Sequence, residues 1–509
     1  MTYNLDIKED HHLTFTGVTE WSKGRTEGSN AIGHGFDTDD YAYHNLAAGT
    51  GTPSVTSSYT QTQMMSYIIR AMYSYKSRYL LTLSNRWDGS SKLSEGHKWD
   101  SFPAVAAGWR ISDEPFMAST RNWLDNLKLR VSYGVTGNDG LGAYGTLAYS
   151  QAGMLGFQEI GQPYSTYSTS IANLGLGWEK SYSWDIGLDA AVLNNRIDFA
   201  IDWYRTDTKD LLYQRALPAA TGGTMNGVDF TTFSIWQNIG KTRNTGLELA
   251  INSRNILTKN FTWSTSLSFS TNKEEVIETT SANPLQFNDY YLIEGEPVHT
   301  YYMYKYEGIW KEDQAEAAAR YNQKPGTIHI LDANDDGVYN ADDYQIIGNG
   351  SPKWIGSLSN FFTYKWFDLS FQLIARWDYT LQYGITGWYR NDGINPTPAV
   401  CDYYTPENQD ARYPRPDSGA SQDTYQGSSS INYFDGSYIK LKNLTFGYTL
   451  PKNVLRSLNI EKARVYFTTS NPFIWTKSEY VKNYDPEKGG NDDDAPLSKQ
   501  FVFGVNLTF

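Results

Sequence analysis

The 509-residue chain has one cysteine, Cys401, so it can form no internal disulfide. That suits a cytosolic protein and a bacterial envelope protein equally. No run approaches the ~18 consecutive apolar residues of a spanning helix. Membrane helices are therefore excluded, but membrane strands are not, because they place apolar side chains only at alternate positions. Cations are in deficit: 43 Lys and Arg against 56 Asp and Glu leave a net charge of −13. Phosphate binding needs the opposite balance, so no nucleic-acid partner is expected. The opening MTYNLDIKEDHHLTF lacks the basic start, apolar stretch and cleavage site of a signal peptide. The expectation is either a cytosolic protein or a chain that starts partway into a longer one.

Catalytic signatures are also missing. His11, His12, His34, His44, His97, His299 and His329 form no H-E-x-x-H pattern, and no G-x-S-x-G occurs. His11 and His12 read as a solvated turn into the first strand. Gly140 to Gly145 fits G-x-G-x-x-G, yet the following TLAYSQAG opens no helix whose N-terminus could hold a pyrophosphate, so it reads as a turn. No enzyme is expected.

Aromatic residues and turn formers are plentiful: 39 Tyr, 22 Phe, 16 Trp and 43 Gly. This composition favours strands. In WFDLSFQLIARW, residues Phe367, Leu369, Phe371, Leu373, Ala375 and Trp377 share one face, and Asp368, Ser370, Gln372 and Arg376 share the other. The same alternation runs through Trp184 to Val192, Leu127 to Val135 and Ile197 to Trp203. Alternation alone does not say whether the apolar face meets a core or lipid. Length does: about 11 steps of ~3.3 Å tilted by ~40° rise about 28 Å, close to the ~25 Å apolar band of an outer-membrane barrel, whereas sandwich strands run to about 5 or 6 residues.

Spacing points the same way. Short connections at Thr363 to Asp368, Asn194 to Asp198 and Leu450 to Arg464 alternate with long polar stretches at Asp378 to Gly436 and Ser470 to Gln500. That is the rhythm of short periplasmic turns and long external loops, with about 12 to 14 candidate strands. The one clear helix, Lys311 to Gln323, lies inside a loop. The ending FVFGVNLTF predicts a closing strand with Phe503, Val505 and Leu507 outward, Phe509 in the aromatic girdle and a terminal carboxylate read during membrane insertion.

A metal motif stands out in the 322–348 loop. Asp332, Asn334 and Asp336 occupy positions 1, 3 and 5 of a D-x-N-x-D-G loop, with Gly337 at the sharp turn, Val338 offering its carbonyl, Asn340 at position 9 and Asp343 at position 12. Hard oxygen donors at that spacing suit a structural Ca²⁺. Asp343 replaces the usual glutamate and no flanking EF-hand helices are evident, so an Asx-rich turn is the alternative. Trp388, Tyr389, Tyr403 and Tyr404 are candidate stacking surfaces for sugar rings or peptides, or else simply pack their loop. Asp492, Asp493 and Asp494 read as a solvated face.

The segment SYKSRYLLTLSNRWDGSSKLSEGHKWDSFPAVAAGWRISDEPFM (Ser74 to Met117), NLKLRVSYGVTGNDGLGAYG from Asn126, YKYEGIW from Tyr304, IIGNGSPKWIGSLSNFFTYKWFDLSF and the closing GVNLTF resemble, in order, hallmark segments of the SusC/RagA-like TonB-dependent outer-membrane transporters of Bacteroidetes. The resemblance implies an all-β fold, the C-terminal part of a 22-stranded plugged transmembrane antiparallel barrel, here spanning residues 1–509 without the plug. It implies outer-membrane import of glycan fragments or peptides, a SusD-like surface lipoprotein as partner, and energy from the TonB complex through a plug and TonB box that this sequence lacks. Two rivals stay open: a smaller complete barrel acting as a passive pore, and a soluble calcium-braced glycan-binding protein.

Overall fold

The computed structural model describes every residue except 149–151, 158–159, 166–169, 227–228, 280–282, 288–289, 384–401, 416–424, 426–427, 456–459, 483–484 and 490–496. Its main element is a 15-stranded sheet in simple sequence order. The strands are β1 (Thr2–Ile7), β2 (His11–Ile32), β3 (Ser54–Tyr75), β4 (Tyr79–Ser90), β5 (Trp99–Arg110), β6 (Leu124–Asn138), β7 (Glu179–Val192), β8 (Ile197–Lys209), β9 (Lys241–Leu257), β10 (Phe261–Glu278), β11 (Trp354–Tyr364), β12 (Phe367–Trp377), β13 (Tyr438–Thr449), β14 (Lys462–Thr476) and β15 (Gln500–Thr508). Among the described residues no helix is long and apolar enough to cross a membrane.

Tight reversals form where the backbone can take positive φ. Lys76 and Ser77 join β3 to β4, Leu193, Asn194 and Asn195 join β7 to β8, and Lys365 joins β11 to β12. These reversals alternate with the long connections, as the spacing predicts. Two expectations shift. The first strand pair precedes the expected start: β1 and β2 form a hairpin with Ile7 opposite His11, so the two histidines begin a 22-residue strand rather than mark a solvated turn. Polar residues on both faces beyond Glu20 hid that strand from a periodicity count. Secondly, β14 runs to Thr476, so the last long loop begins at Lys477. Its extension passes through a register shift at Asn471 and Pro472, where a residue without an amide donor does least harm to the ladder.

The chain forms two compact units. Unit 1 comprises Met1–Trp109, Val131–Trp184 and Thr206–Lys241. Its buried cluster joins Leu93, Phe102, Val135, Leu141, Leu176 and Trp178, with Phe102 and Trp178 edge to face at 5.2 Å. Gly137 is required there, because a Cβ would sit 2.2 Å from the Phe102 ring. Unit 2 comprises Arg110–Arg130, Asp185–Arg205 and Thr242–Phe509. Its strands β10 to β15 carry little core of their own. Its buried clusters lie among the loops: Ile309, Ile328, Ile330, Tyr404, Ala411, Tyr413 and Ile431 form one, and Tyr379, Leu381, Tyr383, Phe434 and Val481 another. The expected loop helix is present as a 3₁₀ turn, Glu312–Gln314, leading into Ala315–Arg320.

Candidate functional site

The register of unit 2 sorts its side chains onto two faces. Trp263, Leu267 and Phe269 of β10 align with Phe362, Leu358 and Gly356 of β11, then with Leu369, Leu373 and Ala375 of β12, then with Phe446, Leu441 and Ile439 of β13. On β15, Phe503 is 80% exposed and Val505 60%. This is a contiguous apolar surface left partly exposed across several strands, of the kind that marks a lipid or partner contact. Where polar groups occur on it they satisfy one another: Trp263 Nε1 and Thr265 Oγ1 both donate to Asn360 Oδ1, at 2.8 and 2.7 Å.

The opposite face is a wall of hydroxyls and amides. Ser264, Ser266, Ser268 and Ser270 of β10 stand beside Ser357 and Ser359 of β11, Ser370 and Gln372 of β12, Asn443 and Thr445 of β13, and Thr468 and Ser470 of β14. Hydrogen bonds cross it: Ser266 donates to Asn252 Oδ1 at 2.7 Å, Gln372 to Ser357 at 3.2 Å, and Ser470 to Asn443 at 3.0 Å. A cavity of about 520 Å³ opens on this wall, bordered by Arg196, Asp198, Asn252, Arg254, Phe361 and Gln372. Ion pairs stand on the same side. Arg130 donates two bonds to Asp189 at 2.8 and 2.9 Å and one to Asp202 at 2.7 Å, and Arg464 clasps Asp368 at 2.9 and 2.6 Å.

An apolar outer surface on long strands, backed by a polar inner surface and short turns at one end only, is the arrangement of a transmembrane β-barrel wall. The model for the barrel of TonB dependent receptor-like proteins matches residues 2–471. The chain belongs to this family. It is 31% identical to TonB-dependent receptor P3 of Formosa agariphila over its whole length, covering 52% of that protein. It is also 31% identical to TonB-dependent receptor SusC of Bacteroides thetaiotaomicron, over 88% of this chain and 44% of that one. The solved RagAB peptide importer in its open-open state superposes on all of it with a TM-score of 0.79 at 25% identity, over 54% of that chain. The chain thus spans about half the length of the relatives it resembles. In an outer-membrane barrel the apolar face of a strand meets lipid and the polar face lines the lumen, and the serine wall lies on the polar face.

The Asp332 loop of this receptor segment folds around its own amides. Asp332 accepts from the amides of Gly337 (2.9 Å) and Asp336 (3.3 Å) and from the Tyr321 hydroxyl (3.0 Å). Asn334 and Asp336 accept from the next amides but one. Asp343, fully buried, closes the loop by accepting from Ala333 at 2.8 Å and Asn340 at 2.9 Å. Asp335 and Gly337 take positive φ, as the sharp turn requires. Partial desolvation opposes ionisation of Asp332, but the amide of Gly337 and the Tyr321 hydroxyl outweigh it and hold its carboxyl below the usual range. Asp332, Asn334, Asp336 and the Val338 carbonyl therefore lie on one tight loop. Among the described residues no three His, Cys, Asp or Glu side chains gather as a metal cage, so a cation here would depend on amide and carbonyl oxygens as well as carboxylates.

Of the candidate stacking residues, Tyr404 is buried in the loop core with its hydroxyl on Glu312 at 3.0 Å, and Tyr403 is exposed. Trp388 and Tyr389 lie outside the described residues. Sequence reasoning missed two clusters. Arg412 sits between the rings of Tyr306, Phe434 and Tyr480, at 5.2, 4.4 and 4.6 Å from their centroids, and donates to the Ile431 carbonyl. Lys440 is buried against Asp485 and Glu487. Both join segments far apart in the chain, and no local pattern announces such pairs.

Proposed function

We propose that this chain is the barrel portion of a TonB-dependent importer that carries glycan fragments or peptides across the outer membrane. The observation that supports this best is the neutral hydroxyl and amide wall on β10 to β14, a surface that solvates a polar solute without binding any one charge tightly, within a sheet related to SusC and RagAB. β1 and β15 each pair on one side only among the described residues. In lipid an open edge costs several kcal/mol for each unsatisfied backbone group, so both edges are completed by further strands, and about seven more would reach the roughly 22 of plugged transporters. A SusD-like lipoprotein covers the external loops, and the TonB complex acts through a plug contributed from outside these residues. The test is deletion of the gene followed by uptake of fluorescent oligosaccharides and oligopeptides. Loss of uptake that returns with the wild-type gene, but not in a strain lacking TonB, supports this function; unchanged uptake of both classes counts against it.

The Asp332 loop acts in this reading as a structural Ca²⁺ site at the external rim, with Asp332, Asn334, Asp336, Val338, Asn340 and Asp343 as ligands. Calcium at 1 mM should raise the Tm of the receptor by several degrees over the EGTA-treated protein, and Asp332→Ala should abolish the difference. An equal Tm with and without calcium leaves the loop an Asx-rich turn.

A further inference from the structure

On the lumen face of β13, just below the end that carries the long loops, stand Tyr438, Lys440 and Lys442. The register pairs Tyr438 with Arg376 and Lys440 with Ile374, and a bulge makes Lys442 the extra residue. The Lys440 side chain is 1% exposed. Its ammonium donates to Asp485 and, at 2.6 Å, to Glu487 Oε2, while Lys442 donates to Glu487 Oε1 at 2.6 Å. Both carboxylates belong to one small turn of the last loop, Pro486–Lys488 and its cap Asp485. A buried ammonium must be paired, and this turn pairs it.

The turn does not exhaust the site. Among the described residues the hydroxyls of Tyr379 and Tyr438, both at least nine-tenths buried, have no hydrogen-bond partner, and both lie within electrostatic reach of Arg376 and Asp485. Asp435, also close to Tyr379, is held by Lys477 at 2.5 Å. Lys440 and Lys442 thus hold the two carboxylates of the turn, while two buried hydroxyls and the Arg376 guanidinium stand close by without bonding it among the described residues. A set with more donors than its present occupant uses is built for a richer acceptor.

We propose that the β13 wall is a binding site for solutes bearing carboxylates, and that the Asp485–Glu487 turn is an internal ligand that such a solute displaces. The word solute rests on the importer reading; the site itself does not. The shared chemistry is a run of carboxylates, from a uronate oligosaccharide or from an acidic peptide. The test is calorimetric titration of the full-length receptor in detergent with trigalacturonate and triglutamate, and with maltotriose and triglutamine as neutral counterparts. Asp485→Asn with Glu487→Gln should bind at least one acidic probe tenfold or more tighter than wild type, with neutral binding unchanged, and adding Lys440→Met and Lys442→Met should erase the gain. Which acid responds names the source. No gain, or a gain that survives loss of the lysines, overturns the proposal. Should the loop variant not fold, as judged by heat-modified gel mobility, the wild type decides: saturating acidic probe should increase proteolysis of the Lys477 to Lys499 loop, and unchanged cleavage overturns it. Titration in detergent needs no TonB, so failed import and failed binding are separable.

Discussion

Replacing Leu373 by arginine tests the assignment of faces. Leu373 lies midway along β12, between Leu358 of β11 and Leu441 of β13, on the apolar side. An arginine at the bilayer midplane of a β-barrel costs about 2–4 kcal/mol. At about 1.4 kcal/mol per factor of ten, that lowers the folded-to-unfolded ratio in lipid roughly 30- to 900-fold. The neighbouring Gln372 points the other way, bonded to Ser357 at 3.2 Å in the polar wall, and Gln372→Arg places its charge in water, at a cost within about 0.5 kcal/mol. Urea titration of the full-length receptor folded into phosphatidylcholine vesicles, read by heat-modified gel mobility, measures both. Equal losses for the two variants, or a larger loss at Gln372, would refute the assignment.

Other outcomes follow from single contacts. Gly447→Ala places a Cβ 2.5 Å from both the Asp368 carboxylate and the Arg464 guanidinium, so it should cost about 1–3 kcal/mol in the same vesicle assay, as Asp368→Asn should. Arg412→Gln removes the cation shared by Tyr306, Phe434 and Tyr480 and should speed amide exchange in the Tyr433–Asp435 and Glu479–Val481 segments together, leaving β10 to β12 unchanged. His329 lies tilted against Trp310, ring centroids 3.8 Å apart, and its burial pushes its pKa below the usual 6.5, partly opposed by Glu307. A depressed folded pKa means that its contribution is whole above pH 6.5 and is lost as pH falls through the folded value, so amide protection factors around Ile328–Ile330, corrected for the intrinsic exchange rate, should fall on acidification from pH 6.5, and His329→Phe should flatten that dependence.

The strands that matter most were legible because lipid and lumen impose a period of two with opposite chemistry on each side. Phe367 to Trp377 and the ending Phe503, Val505 and Leu507 show it plainly, and the register bears out their faces. β1 and β2 were not legible as a pair. Beyond Glu20, where β2 is too long to lie wholly in a membrane, polar residues occupy both faces and the alternation dissolves. The Asp332 loop was visible because its residues are contiguous. The Lys440 cluster was not, since Asp485 and Glu487 lie over 40 positions away and meet it only through the barrel's fold and a bulge. Tyr404 shows the opposite error: an aromatic loop residue suggested a stacking surface, yet its ring supplies the loop's own core.

The most direct measurement of the central claim is a nitroxide scan of β12, one spin label at a time from Leu369 to Arg376, in the full-length receptor in vesicles, with relaxation by oxygen and by a water-soluble nickel chelate. A barrel wall predicts strict alternation: oxygen contact dominates at 369, 371, 373 and 375, and nickel contact at 370, 372, 374 and 376. Nickel contact at both sets of positions would mean that neither face meets lipid, and the membrane account of this chain would be wrong.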